Sequence, residues 1–235
     1  MSFNFKNILS HLENQLLPTQ CAACGRNGSP LCPTCRAKIR NLKPICQLCG
    51  RPSFLGLFCP NCQKQAQTQY AFNGIFSYGY YSDPILRAAL RALTYQGVRN
   101  LGIILGKMWG RKILSQVQKI KLPLLIPIPL HPRRQRARGF NQSLEIAKGI
   151  ATITNWPIST ELKRLSHQTP SAHNSYQARI KQKKIFFHQP ADLQDWTIFL
   201  VDDIITTGAT ANHASQALRQ VGAKDIIIAS IAQSL

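Results

Sequence analysis

The sequence predicts an α/β protein in two parts: a small N-terminal segment organised by metal, residues 1–66, and a larger domain with a mainly parallel sheet, residues 67–235. Three observations carry that expectation. All eight cysteines fall between Cys21 and Cys62, in four C-x-x-C pairs. Beyond Tyr70, strand-like and helix-like runs alternate, the pattern of a parallel sheet with crossover helices. A pair of adjacent acids, Asp202 and Asp203, closes a short apolar run, at the carboxyl edge where such sheets bind ligands.

The cysteine pairs are Cys21/Cys24, Cys32/Cys35, Cys46/Cys49 and Cys59/Cys62, separated by seven, ten and nine residues. A C-x-x-C turn brings two thiolates to one tetrahedral ion, and two such turns complete a closed structural zinc site. A thioredoxin-type redox pair would not come four times, and a disulfide framework does not suit a chain read as cytosolic. The spacing allows sequential pairing of the turns, as two stacked ribbons, or an interleaved cross-brace; sequential pairing is the expectation. A segment of this size, rich in Gly, Pro and Gln, buries too little apolar surface to fold alone, so zinc supplies its folding free energy.

The chain is strongly basic, with 29 Lys and Arg against 9 Asp and Glu, a formal charge of +20. Counting two four-thiolate zinc sites brings this to roughly +16, still a surface that attracts phosphates, nucleic acid above all. Residues 1–70 hold eight Lys or Arg and a single acid, Glu13, so the ribbon has a basic face of its own. The N-terminal stretch places Phe5, Ile8, Leu9, Leu12 and Leu16 at helical spacing rather than in a signal-peptide core. The most apolar window, Leu122 to Leu130, is far shorter than the ~20 residues of a membrane-spanning helix. A cytoplasmic protein without membrane insertion is expected.

The polar stretch between Gln63 and Tyr70 places the domain boundary. Asp83 before Pro84 is an N-cap with proline at the first helical position, and Ile85, Leu86, Ala89, Leu90 and Leu93 form one apolar stripe. A second helix over 101–117 turns Leu101, Ile104, Leu105, Met108 and Leu114 inward, with Arg111, Lys112 and Lys119 near its C-terminal end, where cations suit the macrodipole. Leu122 to Leu130 reads as a buried strand limited by its prolines. Then follow a helix from Ser143 to Ala151, a strand from Thr197 to Val201, a helix from Thr210 to Val221 closed by Gly222, and a strand from Ile226 to Ile231.

Two neighbouring carboxylates at the end of the Thr197–Val201 strand, with no Lys or Arg within several residues, repel each other and lose solvation if buried. Sugar hydroxyls or a magnesium ion would satisfy them. The residues that follow, Thr206, Thr207, Gly208, Ala209 and Thr210, run into a helix, so backbone N–H groups, hydroxyls and the helix dipole converge as they do on a phosphate. An acid pair and a phosphate nest a few residues apart match a ribose 5-phosphate with free 2- and 3-hydroxyls. No G-K-[ST] follows and no G-x-G-x-x-G is present, so neither a P-loop nor a Rossmann fingerprint is involved.

The string VDDIITTGAT resembles the signature of type I phosphoribosyltransferases, which binds 5-phosphoribosyl 1-pyrophosphate (PRPP). Together with the cysteine pairs, IPIPLHPRRQRARGFNQS over 126–143 resembles the ComF family of competence proteins, which join a double zinc ribbon to a phosphoribosyltransferase-like domain. The stretch 163–187 is similar to the family's more loosely: Arg164, Arg179 and Phe187 match, while Gln168, Ser171 and Gln182 stand where Thr, Gln and Asn are expected. Where the family has Lys-Tyr-x-Gly, this chain has Thr94, Tyr95, Gln96 and Gly97.

The resemblance implies that Asp202 and Asp203 meet the ribose hydroxyls and Mg2+, that Thr206 to Thr210 hold the 5-phosphate, and that the turn after Pro129 holds pyrophosphate. Arg133, Arg134, Arg136 and Arg138 concentrate positive charge there, and suit a nucleic-acid backbone equally well. The 163–184 stretch would cover the bound ligand and exclude water. The resemblance further implies natural transformation, with incoming single-stranded DNA and with helicase-like and DNA-loading proteins as partners. A phosphoribosyltransferase acting on an unidentified acceptor is the alternative; the loss of the family lysine at Thr94 counts against turnover but not against PRPP binding.

Overall fold

The computed structural model describes residues 20–117, 120–164, 185–187 and 192–234. The helix expected before residue 18, Lys119 and the 165–184 part of the expected covering loop lie outside the described residues.

Two helices belong to the cysteine-rich segment, α1 (Pro33–Lys38) and α2 (Pro60–Gln69). Then come β1 (Gly74–Tyr80), α3 (Pro84–Tyr95), α4 (Asn100–Gln116), β2 (Pro123–Pro127), α5 (Pro132–Arg138) and α6 (Gln142–Thr154). A short antiparallel pair, β3 (Leu162–Arg164) and β4 (Ile185–Phe187), precedes β5 (Thr197–Ile205), α7 (Ala209–Gln220) and β6 (Asp225–Gln233). The main sheet has the order β1-β6-β5-β2, and every pairing in it is parallel. The expected α/β architecture is therefore present.

Alternation along the strands sends side chains to two cores. Phe199 and Val201 of β5 join Leu125, Ile227 and Ala229 beneath α3, α4 and α6. Ile198 and Leu200 join Leu124, Ile126, Ile226 and Ile228 beneath α7, with Ala66 of α2. The first core also contains Cys21, Leu31, Cys35, Ile39 and Leu55, so the ribbon and the sheet domain share buried surface.

Several elements differ from expectation for identifiable reasons. The polar 63–70 stretch lies largely in α2, whose only fully buried residue is Ala66; its one-sided contact leaves an otherwise polar helix. Strand β1 carries Gly74, Ser77 and Gly79 between aromatic residues, which obscures a strand signal. The arginine segment is a helix, α5, not a turn. Leu114 is 43% exposed rather than inward. Helix α4 buries Leu101, Leu105 and Met108 as expected, and Trp109 and Ile113 with them, while Gly102, Gly106 and Gly110 are buried on the same helix. Lys112 does not simply cap the helix end: its Nζ donates to the carbonyls of Leu42, Ser77 and Tyr78, and burial pushes its pKa down to about 8.

Helices α4 and α6 meet at glycines. A Cβ on Gly106 would lie 2.1 Å from the Ile146 carbonyl oxygen, and one on Gly149 would lie 2.3 Å from that of Ile103. The backbones thus touch, and α6, which begins at the acid pair, is held firmly against the core. Gly106→Val is expected to destabilise the protein by about 3 kcal/mol or prevent folding, which urea unfolding followed by circular dichroism checks.

Candidate functional site

The cysteines form two groups, Cys21/Cys24/Cys32/Cys35 and Cys46/Cys49/Cys59/Cys62, in each of which the Sγ atoms lie within 4.8 Å of one another. The pairing is sequential, as expected. Cys24 and Cys32 sulfurs are 3.7 Å apart, and Cys49 and Cys59 sulfurs 3.6 Å, close to the ~3.8 Å edge of a tetrahedron with zinc–sulfur bonds of about 2.3 Å. Backbone N–H groups serve the sulfurs: Cys32 donates to Cys21 Sγ at 3.3 Å, and Cys59 to Cys46 Sγ at 3.5 Å. Burial alone would raise the Cys21 thiol, yet the N–H groups of Cys32, Ala23 and Cys24 bring it down to about 6. Cys46 reaches about 6 in the same way. Burial and the surrounding thiols push Cys35 up to about 12. Four such sulfurs ionise together only around a cation, so both groups fit a structural zinc ion.

The second site lies at the carboxyl edge of the sheet. β2 ends opposite Val201, but β5 continues to Ile205 alongside β6. Asp202 and Asp203 therefore lie within β5, not after it as expected, while standing beyond the end of the neighbouring strand. The space that β2 vacates is filled by the segment 138–143. Arg138 ends α5, and Gly139, at φ 85°, terminates that helix in the left-handed region that glycine allows. Phe140 is buried in the core. Asn141 caps α6, accepting from Ser143 N–H at 3.0 Å, and its Nδ2 donates to Ile128 O, tying the cap to the end of β2.

Gln142 and Ser143 then reach the acids. Ser143 Oγ donates to Asp202 Oδ1 at 3.1 Å, and Gln142 Nε2 donates to Asp203 Oδ2 at 3.3 Å. Thr94 Oγ1 approaches the same Asp203 oxygen at 3.5 Å. Burial, reinforced by the Asp203 charge, pushes Asp202 well above the usual carboxylate range. Gln142, Ser143 and Thr94 are site residues for which sequence reasoning had no role, although it quoted all three; only the fold shows that their side chains meet the acids.

Asp203 opens into a cavity of about 800 Å³, lined also by Thr94, Tyr95, Arg134, Arg138 and Gln142. The four arginines of the 133–138 segment are thus divided. Arg134 and Arg138, one helical turn apart, line the cavity; Arg133 and Arg136 are exposed and do not. Burial lowers the pKa of Arg138 against the opposing pull of Asp203, and its Nη1 is buried with no hydrogen-bond partner. An unpartnered guanidinium donor beside a cavity is a binding position for an anion. Arg164, also lowered by burial, feels both Arg134 and Asp202.

Thr206, Thr207 and Gly208 line a separate hollow of about 160 Å³, shared with Gln47 and Leu48 of the second zinc knuckle and with Phe58, Tyr70 and Phe72. Ala209 and Thr210 open α7 and are exposed. The expected site residues thus divide between two concavities flanking the end of β5, and the second is walled by the ribbon.

Fold and site together define a double zinc ribbon carried on a phosphoribosyltransferase-type α/β domain. The double zinc ribbon domain family matches residues 12–66, and the phosphoribosyl transferase domain family matches residues 142–234. Competence protein F of Haemophilus influenzae is 27% identical over 89% of this chain and 92% of its own length. Competence protein ComFC of Bacillus subtilis is 27% identical over 82% of this chain and 79% of its own. The DNA utilization protein YhgH of Salmonella typhi is 25% identical, over 87% and 91%. Over most of its length the chain is thus similar to competence proteins, and it joins a double zinc ribbon to a phosphoribosyl transferase domain.

Zinc analysis of the purified protein is expected to give two equivalents. Cys35→Ser and Cys62→Ser should each lose one, with a fall in unfolding temperature of several degrees or more; plasma emission spectrometry and thermal melts check both.

Proposed function

We propose that this protein acts in DNA uptake during natural transformation, binding single-stranded DNA in the cytoplasm and carrying a site for PRPP or another ribosyl phosphate. One observation carries the ribosyl-phosphate reading: Asp203 and the Arg134/Arg138 pair face a single cavity at the carboxyl edge of the central strand. The names of its relatives, competence proteins and a DNA utilization protein, support the cellular role. No helix among the described residues is long and apolar enough to cross a membrane. Helicase-like and DNA-loading competence proteins are the partners such a role needs.

In this reading Asp202 and Asp203 accept hydrogen bonds from the ribose 2- and 3-hydroxyls, held in place by Ser143, Gln142 and Thr94. Thr206, Thr207, Gly208, Ala209 and Thr210 hold the 5-phosphate with backbone N–H and hydroxyl donors. Arg134 and Arg138 hold the pyrophosphate, whose oxygens suit the free Nη1 of Arg138. The acid pair and the pyrophosphate oxygens form an all-oxygen set of the kind Mg2+ accepts, and the ion when bound would offset charge on the departing pyrophosphate. Arg133 and Arg136, outside the cavity, are left to contact the DNA backbone.

A second reading is an active phosphoribosyltransferase on an unidentified acceptor. The intact acid pair and the unpartnered Arg138 donor favour it, and Thr94 in place of the family lysine counts against it. Calorimetric titration of the zinc-loaded protein with PRPP separates these cases. Binding is expected to require Mg2+ and to be lost, by at least tenfold, in Asp202→Asn/Asp203→Asn. Wild-type protein that fails to bind PRPP would refute the ribosyl-phosphate reading, and pyrophosphate release on addition of an acceptor would establish the enzymatic one.

A further inference from the structure

The large cavity offers more than a ribosyl phosphate uses. Its volume of about 800 Å³ lies in the upper part of the range for ligand pockets. Opposite Arg134 and Arg138, its wall is made by the last turns of α3 and the bend after them. Arg91 and Tyr95 stand there one turn apart, both exposed, and both lining the cavity. Tyr95 is 79% exposed, more than any other large hydrophobic side chain among the described residues. A lone exposed ring on a convex surface needs no explanation, but this one stands inside a concavity. Three guanidinium groups and one carboxylate, Asp203, are the charged groups lining it. Arg138 is close enough to Tyr95 for the phenol to influence its titration.

An open aromatic face set among guanidinium forks is the donor set that recognises a nucleotide with an unpaired base. The ring stacks on the base, and the forks take the phosphodiester. A base inside a duplex presents no free face to such a ring, so the fit is to a single strand. Resting on the reading above, that the chain binds single-stranded DNA and a ribosyl phosphate, we infer that both use this cavity: Tyr95 stacks on a DNA base, while Arg134 and Arg138 hold the adjoining phosphate, with Arg91 at the rim. The arginine pair serves one anion at a time. DNA and PRPP therefore exclude each other.

The test uses the full zinc-loaded chain and a fluorescein-labelled oligothymidylate, read by anisotropy at fixed salt. Tyr95→Ala is expected to weaken binding about tenfold or more, in line with the loss of one stacked base, and Tyr95→Phe to restore it. An oligonucleotide with abasic positions should bind wild type and Tyr95→Ala alike. PRPP with Mg2+ should displace the strand from wild-type protein. Zinc content and melting temperature establish that each variant is folded. Unchanged binding by folded Tyr95→Ala, or failure to displace the strand by PRPP at a concentration that saturates the protein in calorimetry, overturns the inference alone. Wild-type protein that binds no DNA overturns it together with the DNA half of the proposed function, while the ribosyl-phosphate half still stands or falls by calorimetry.

Discussion

The exposed edge of β1 is the constraint on which the rest of the molecule depends. A strand at the margin of a sheet presents unpaired N–H and C=O groups that invite another chain. Here the ribbon takes them. Leu42 N–H donates to Tyr78 O at 2.9 Å, Phe58 N–H donates to Asn73 O at 2.8 Å, and Leu57 bridges to Gly74. Lys112 reaches across from α4 to the carbonyls of Leu42, Ser77 and Tyr78, with its ammonium 5.0 Å from the Phe76 ring centroid. The ribbon needs zinc to fold, and the sheet needs the ribbon to close its edge. Metal binding is thereby linked to the stability of a domain that holds no zinc ligand.

The same closure brings the ribbon to the carboxyl edge of the sheet. Helix α2 starts at Cys59 and Cys62 and ends where Asn212 of α7 accepts from Ala71 N–H at 2.7 Å and donates to Gln69 O. Asn212 N–H in turn donates to Gly208 O at 2.8 Å. A continuous set of contacts thus runs from the second cysteine group to the Thr206–Gly208 loop. On the other side of β5, the acids depend on α6, whose start is set by the Asn141 cap and whose body is fixed by the glycine contact with α4.

Much of this organisation was legible in the sequence because its signals are local. C-x-x-C spacing marks the thiol pairs that reach one ion, Asp83-Pro84 fixes a helix start, and four consecutive apolar residues, Ile198 to Val201, fix the centre of β5. The acid pair and the threonine loop were legible for the same reason: both are short strings with one chemistry each. What escaped depends on neighbours distant in the chain. Nothing around Leu114 says that α4 turns its glycine face toward α6, which puts the leucine in solvent. Nothing in the arginine segment says which of its four cations face inward, because that follows from a helix seven residues long. Gln142, Ser143 and Thr94 gain their roles only because β2 stops early and lets α6 and α3 approach Asp202 and Asp203.

Strand order also governs the sequence of events during synthesis. The two central strands of the sheet, β5 and β6, leave the ribosome after the outer strands β1 and β2, which have no sheet neighbour until then. The cysteine-rich segment emerges well ahead of both, and metal supplies part of its folding free energy. Translation therefore makes the ribbon first, followed by an interval in which β1 and β2 lack the strands that lie between them, the kind of interval in which partly folded chains aggregate or are met by chaperones. Asp202 and Asp203 have a folded environment only once β6 has slipped between β1 and β5. The surroundings of the acid pair are therefore incomplete in any chain that has not yet made β6.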